Sequence, residues 1–329
     1  MRLTEPARDD WMGSGIGMGC MGLSTVDKPT AATLVASAID HGITLFDTAD
    51  YYGQGAAEEA LGAALPRSAR ERIVVATKTG IVHGARRASL NGSPEHIRAA
   101  CEGSLARLGV ERIGLYYLAR IDPAVPVEES VGALADLVHE GKVERIGLSE
   151  VAPSTLRRAC AVHPIAAVQS EYSLFERHVE DGVLPACTER GIPLVAYRPL
   201  TLGLLTDTRA VLEHLQPDDW RHRDPRHGPA ALAQNHRTAA SLVAAARERG
   251  LTAAALALRW LKSGPHRVVP IPGMRSEEHV ADSVGAVGGR LSDSEWHFLA
   301  GLFPQGCAVG DRYLRPMLDM VDVEPTEVG

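Results

Sequence analysis

The sequence has few of the features that mark a special class of protein. Its five cysteines, Cys20, Cys101, Cys160, Cys187 and Cys307, are odd in number, far apart and free of any CxxC pair. That excludes a disulfide scaffold or zinc site and leads us to expect reduced thiols in the cytoplasm and no bound metal. No stretch approaches the roughly 18 apolar residues needed to span a membrane, and the opening "MRLTEPARDDWMGSG" lacks the apolar core of a signal peptide. The net charge is −7 and no basic block stands out, so no nucleic-acid partner is expected. The one local cluster, "WRHRDPRH", is interleaved with acids and reads as a solvated loop. A GxGxxG turn followed by an acid about 20 residues later is also missing, and no helix directly follows "GSGIGMGCMG". This argues against a doubly wound dinucleotide-binding sheet.

What is present is an alternation. Short β-branched runs at 43–48, 72–78, 113–119, 145–150, 166–171, 193–198 and 268–273, with a weaker one at 19–22, read as strands. Amphipathic stretches lie between them, several ending in a glycine suited to the position after a helix: Gly42, Gly109, Gly141 and Gly191. Ser93 and Pro94 form an N-cap and first-turn pair. Eight strand–helix alternations over about 250 residues predict one (β/α)8 TIM barrel across residues 1–329. Its core spans about 16–303, and the tail 304–329 either folds back on the barrel mouth or lies disordered. The polar segment 201–235 reads as a functional loop over the site.

In such a barrel the strand ends converge on the C-terminal face. Those ends carry Asp47, Lys78, Ala119, Ser149 with Glu150, Gln169, Tyr197 with Arg198, and Pro272 with Gly273, while the second loop adds Tyr51 and Tyr52. A tyrosine with an unperturbed pKa of about 10 is a poor proton donor near neutrality. A nearby lysine favours its phenolate, and an aspartate fixes that lysine. Such a tyrosine can protonate an alkoxide formed as hydride reaches a carbonyl. Ser149 and Gln169 suit a carboxamide, and Tyr197 suits the face of the ring that carries it.

The motifs "GITLFDTADYYGQGAAEEALGAAL", "VVATKTG", "LYYLARIDP", "GKVERIGLSE", "VQSEYSLFER", "VAYRPL" and "VPIPGMRSEEHV" resemble the successive signatures of the aldo-keto reductase superfamily. The resemblance implies a barrel that binds NADPH in extended form at its C-terminal face and acts on a small-molecule carbonyl compound. It implies that Tyr52 is the proton donor, Lys78 its activating cation and Asp47 the partner of Lys78. Ser149, Glu150 and Gln169 would contact the carboxamide, with Glu150 standing where many members have asparagine. Tyr197 would stack on the nicotinamide. Arg198, Leu200 and Gly203 would follow the pyrophosphate, and Gly273, Arg275, Ser276 and His279 the 2′-phosphate end. Cys20, Met21, Tyr51, His83 and Ala119 would line the substrate pocket.

Ala119 departs from the pattern, since most relatives have a histidine there that donates to the substrate carbonyl. Three outcomes compete. The chain is a carbonyl reductase weakened by the ~10²–10³ in turnover that one such donor supplies. Or it reduces a C=C or C=N bond in a bulkier substrate, or it only binds NADP(H). His83 is the nearest substitute by position. Arg120, one residue on, is expected to point away into the barrel wall if strand alternation persists. No sequence feature specifies an oligomeric state.

Overall fold

Eight short strands pair in parallel in the order β1 (Gly17–Gly19), β2 (Leu45–Asp47), β3 (Val74–Thr79), β6 (Leu115–Leu118), β7 (Ile146–Ser149), β8 (Ala167–Glu171), β9 (Leu194–Tyr197) and β10 (Val268–Pro270). The ring closes where Gly19 bridges to Gly273 and its N–H donates to the Pro272 carbonyl at 2.9 Å. The computed structural model describes residue 12 and residues 15–84, 88–206, 215 and 219–324. Parts of the expected N-terminal segment, of the loop 201–235 and of the tail therefore lie outside the described residues.

Inside the ring a compact apolar set, including Leu45, Val74, Ala76, Leu115, Tyr117, Ala167, Val195 and Val269, fills the barrel with Met12 beneath it. These residues lie two apart along each strand, the period at which side chains share a face. Continuing that period carries Asp47, Lys78, Ser149, Gln169 and Tyr197 to the same side at the strand ends. The larger core packs the outer strand faces, such as Phe46, Tyr116 and Leu148, against the surrounding helices.

Those helices are α1 (Lys28–Asp40), α2 (Ala56–Ala64), α3 (Pro94–Leu108), α4 (Val127–His139), α5 (Pro153–Val162) and α6 (Val183–Glu189). After β9 come α7 (Pro229–Glu248) and α8 (Ala253–Ser263), and after β10 come α9 (Glu277–Val287), α10 (Asp293–Leu302) and the short α11 (Arg315–Leu318). As expected, Ser93 caps α3 by accepting from the His96 N–H at 3.3 Å, with Pro94 behind it. Gly109 ends α3 at φ +63°, a conformation costly for any residue with a Cβ. A hairpin of β4 (Ile81–His83) and β5 (Ala88–Leu90) stands beyond β3. No helix among the described residues is long and apolar enough to cross a membrane.

Two boundaries differ from the sequence reading. The first strand is Gly17–Gly19, and Met21–Thr25 is a tight helical turn instead of an extension of it. The segment 201–235 is also not all connection. It contains turns at Thr201–Gly203, Trp220–Arg223 and Pro225–His227, and α7 begins at Pro229, where alanine-rich sequence takes over.

Candidate active site

At the end of β3, Lys78 is 1% exposed. Its Nζ lies 2.5 Å from Asp47 Oδ1 at the end of β2 and 2.7 Å from the Thr48 carbonyl oxygen. Gln169 Nε2 donates to the other Asp47 oxygen at 2.8 Å, so one carboxylate ties three strand ends together. The Tyr52 ring stands over this group with its centroid 5.2 Å from Lys78 Nζ, and Tyr51 packs edge-on against it at 4.9 Å. Asp47, Tyr52 and Lys78 thus converge as the sequence implied. Gln169 joins them through Asp47.

Burial raises the Tyr52 hydroxyl above the usual tyrosine range and the Asp47 charge adds to this, while Tyr51, Arg120 and Arg198 pull the other way. Asp47 pairs directly with Lys78, while Arg120 and Arg198 add to the field that opposes the rise.

Glu150 is engaged with protein groups on both carboxylate oxygens. Oε1 accepts from the Glu171 backbone N–H at 3.0 Å and the Tyr197 hydroxyl at 2.8 Å, and Oε2 lies 2.7 Å from Arg312 Nη2. Burial would raise its carboxyl, but Arg312 and Arg120 prevail and hold it at about 2. The Tyr197 hydroxyl also bonds to that of Tyr313, whose ring lies 4.7 Å from the Arg198 guanidinium and 5.2 Å from that of Arg312. The tail has therefore folded back on the barrel mouth. It is tied down again where Asn235 bonds the Val309 backbone on both its N–H and C=O, and where Asp322 accepts from the Ala152 N–H at 2.8 Å.

Glu150 at φ +52° and Arg198 at φ +48° are non-glycine residues in the left-handed region, and both sit at strand ends that the tail grips. Such strain persists only where surrounding contacts enforce it. Ser149 is buried beside Gln169 at the register the ladder sets.

Among the pocket candidates, Cys20 and Ala119 are fully buried, and burial pushes the Cys20 thiol well up. Met21 is 45% exposed on the turn after β1. His83 lies on β4, 6.3 Å from the Tyr51 ring, an aromatic contact at the mouth. Arg120 contradicts the alternation argument. The ladder ends at Leu118, so the parity rule lapses and the Arg120 side chain turns back to donate from Nη1 to the Ala119 carbonyl oxygen at 2.7 Å. Its guanidinium faces the Tyr313 ring at 6.0 Å and is coupled to Tyr197, Glu150 and Tyr51.

The "WRHRDPRH" segment is also not simply solvated. Arg221, Asp224, Arg226 and His227 are buried, with Arg226 paired to Glu171 and Glu176, and Arg221 2.6 Å from Asp219 Oδ2. Among the described side chains of that run, His222 and Arg223 keep the exposed character expected. Some of these charges find local partners, Arg221 with Asp219 and His227 with Asp224, while Arg226 reaches Glu171 and Glu176, pairings that leave no local signature.

A dinucleotide phosphate fits the residues along the rest of this face. Arg275 and the buried Arg221 repel each other with Asp219 as the acid between them, leaving a net positive pair. Beside them, Ser276 caps α9 by accepting from the His279 N–H at 3.3 Å, so further N–H groups of that first turn remain for an anion. At Gly273 a Cβ would meet nothing within 4 Å. Thr201, Leu202 and Gly203 run through consecutive positive φ values of 45°, 57° and 105°, with the Thr201 and Gly203 N–H groups donating to the Arg198 and Leu200 carbonyls.

The Aldo/keto reductase family model matches residues 15–302. The chain is 40% identical over 306 residues to a probable aldo-keto reductase 1 of Glycine max, covering 91% of this chain and 88% of that one. It superposes with a TM-score of 0.77 on a glycerol dehydrogenase from Gluconobacter oxydans, at 29% identity and covering 88% and 90% of the two chains. A Klebsiella pneumoniae aldo-keto reductase in complex with NADPH superposes with a TM-score of 0.71, at 29% identity and 90% and 94% coverage.

Proposed function

Because the chain belongs to the aldo-keto reductase family, we propose that it reduces the carbonyl group of a small-molecule aldehyde or ketone, with Tyr52 delivering the proton. NADPH, when bound, supplies the hydride. The reading is carried by one observation: a buried Asp47–Lys78 pair at 2.5 Å with the Tyr52 ring held over the lysine.

A phenol kept protonated by its surroundings gives up its proton only to a stronger base, and an alkoxide is one. Raising the Tyr52 pKa therefore does not prevent donation; it keeps the proton in place until the alkoxide forms. Asp47 and Thr48 hold Lys78, and Lys78 and Asp47 hold the floor under Tyr52. Ser149 and Gln169 meet the carboxamide. Tyr197 offers its ring to the nicotinamide, its hydroxyl fixed by Glu150. Arg198, Leu200 and Gly203 border the pyrophosphate, and Gly273, Arg275, Ser276 and His279, joined by Arg221, take the 2′-phosphate.

Mere NADP(H) binding would leave the buried Asp47–Lys78 pair, with its desolvation cost, without a use.

Stopped-flow measurement of NADPH consumption over a panel of aldehydes and ketones tests the proposal. Saturable turnover is expected in the wild type, and a loss of ~10²–10⁴ in Tyr52→Phe with NADPH affinity nearly unchanged. Tight NADPH binding with no turnover on any carbonyl would favour the binding-only reading.

A further inference from the structure

A carbonyl oxygen that gains negative charge needs hydrogen-bond donors aimed at it. Tyr52 provides one. The strand end beside it offers only the Ala119 methyl, and His83 is an exposed residue packed toward Tyr51. Two further donors stand here: Tyr51, packed edge-on against Tyr52, and Arg120, which follows Ala119 on the chain and carries a charge.

Its situation is unusual for a guanidinium. Arg120 is 6% exposed, and among the described residues no carboxylate pairs with it. Its hydrogen bond runs from Nη1 to the carbonyl oxygen of Ala119, which folds the guanidinium back over its own strand end (2.7 Å). The groups around it are tyrosines and one carboxylate already taken: Tyr313 at 6.0 Å, Tyr51 and Tyr197, and Glu150 bound to Arg312. Tyr197, Glu150 and Tyr51 favour its cation against the cost of burial, Tyr197 also as a side-chain hydrogen-bond partner, and a guanidinium so engaged still has donors to spare. The same charge also opposes the rise of the Tyr52 pKa, which places it within electrostatic reach of the proposed proton donor.

We propose that Arg120 donates a hydrogen bond to the reacting oxygen of the substrate beside Tyr52, filling the place that the Ala119 methyl leaves open. This rests on the carbonyl-reduction reading above. In the step, the carbonyl carbon gains the hydride as a new C–H bond and the C=O π pair moves to oxygen. That oxygen takes the Tyr52 proton, and solvent restores it to the phenolate. Arg120 gives up no proton. It stabilises the oxyanion first and the phenolate afterwards.

The test uses the full chain and two variants, Arg120→Met, which keeps length without charge, and Arg120→Lys. In Arg120→Met, kcat on a simple aldehyde should fall ~10²–10³-fold, while the NADPH dissociation constant and the melting temperature stay close to wild type. Added guanidinium ion should restore part of the lost rate, which a purely structural role for Arg120 would not allow. If Arg120→Met fails to fold, Arg120→Lys replaces it, with a smaller loss expected because the charge is retained but the planar fork is not.

A binding measurement is independent of turnover. Acetate, titrated against the NADP+ complex and followed by intrinsic fluorescence, mimics the anionic oxygen. It should saturate in the wild type and weaken at least about tenfold in the variant. Full aldehyde turnover in Arg120→Met, or equal acetate behaviour in wild type and variant, overturns the proposal. A wild type that reduces no carbonyl at all would defeat the reductase reading instead, and the acetate arm would still decide the role of Arg120.

Discussion

Arg312, on the C-terminal tail, places Nη2 2.7 Å from Glu150 Oε2 at the end of β7, joining residues 162 positions apart at the barrel mouth. The pair is almost entirely buried, with side chains 11% and 1% exposed. A carboxylate so placed depends on its partner, because desolvation without compensation outweighs what the remaining hydrogen bonds return.

Arg312→Gln should therefore destabilise the protein by about 3–5 kcal/mol, seen as a lower urea midpoint and faster proteolysis of the tail. The double variant Glu150→Gln/Arg312→Gln should recover much of the loss, since no charge is then stranded. Equal losses in single and double variants would show that the two side chains are not coupled.

The Asp47–Lys78 pair predicts the same asymmetry deeper in the barrel. Asp47→Asn leaves the lysine cation buried without a counter-charge and should cost about 3–5 kcal/mol in urea unfolding. Asp47→Leu/Lys78→Met should stand closer to wild type in stability, yet lose carbonyl turnover. A double variant as unstable as the single one would mean that the interaction with Gln169 matters more than the charges.

Ala119→His restores an imidazole donor at the strand end. In the wild-type background the gain in aldehyde kcat should be small, because Arg120 already holds the oxygen. In an Arg120→Met background the same substitution should recover much more of the lost rate. Equal gains in both backgrounds would separate the two positions functionally.

Asp50 provides a pH test. Burial raises its carboxyl from 3.8 to about 7, with a hydrogen bond from Thr79 opposing, so the folded state holds a proton that the unfolded chain has released. More protons bound in the folded state means that stability falls as pH rises, here between about 4 and about 7, and stays reduced above that window. Asp50→Asn removes the titration. It should stabilise the protein by on the order of 2 kcal/mol at pH 8 and by little at pH 4, read from thermal melts at the two pH values. A gain independent of pH would point to packing instead of charge.

Much of the barrel was legible locally. Each of the eight strands was found to within a few residues, because β-branched runs bounded by turn residues reflect chain stereochemistry that needs no distant partner. The ends of α3, with Ser93, Pro94 and Gly109, followed from capping for the same reason. The end of the first strand is shifted because glycines on both sides leave strand and tight turn equally open.

The positions of Asp47, Lys78, Ala119, Ser149, Gln169 and Tyr197 at one mouth were determined by the sequence alone, since a two-residue period running to the end of a strand decides which side each faces. What each side chain touches was decided by the tertiary structure. Gln169 bonds to Asp47 across 122 residues, Tyr197 to Tyr313 across 116, and Arg226 to Glu171 across 55. Arg120 turns to the mouth because its strand has already ended, and Glu150 serves the tail because Arg312 reaches it first. Local preference fixes where a side chain starts. Which partner a charge finds depends on loops and a tail that only the closed barrel brings together.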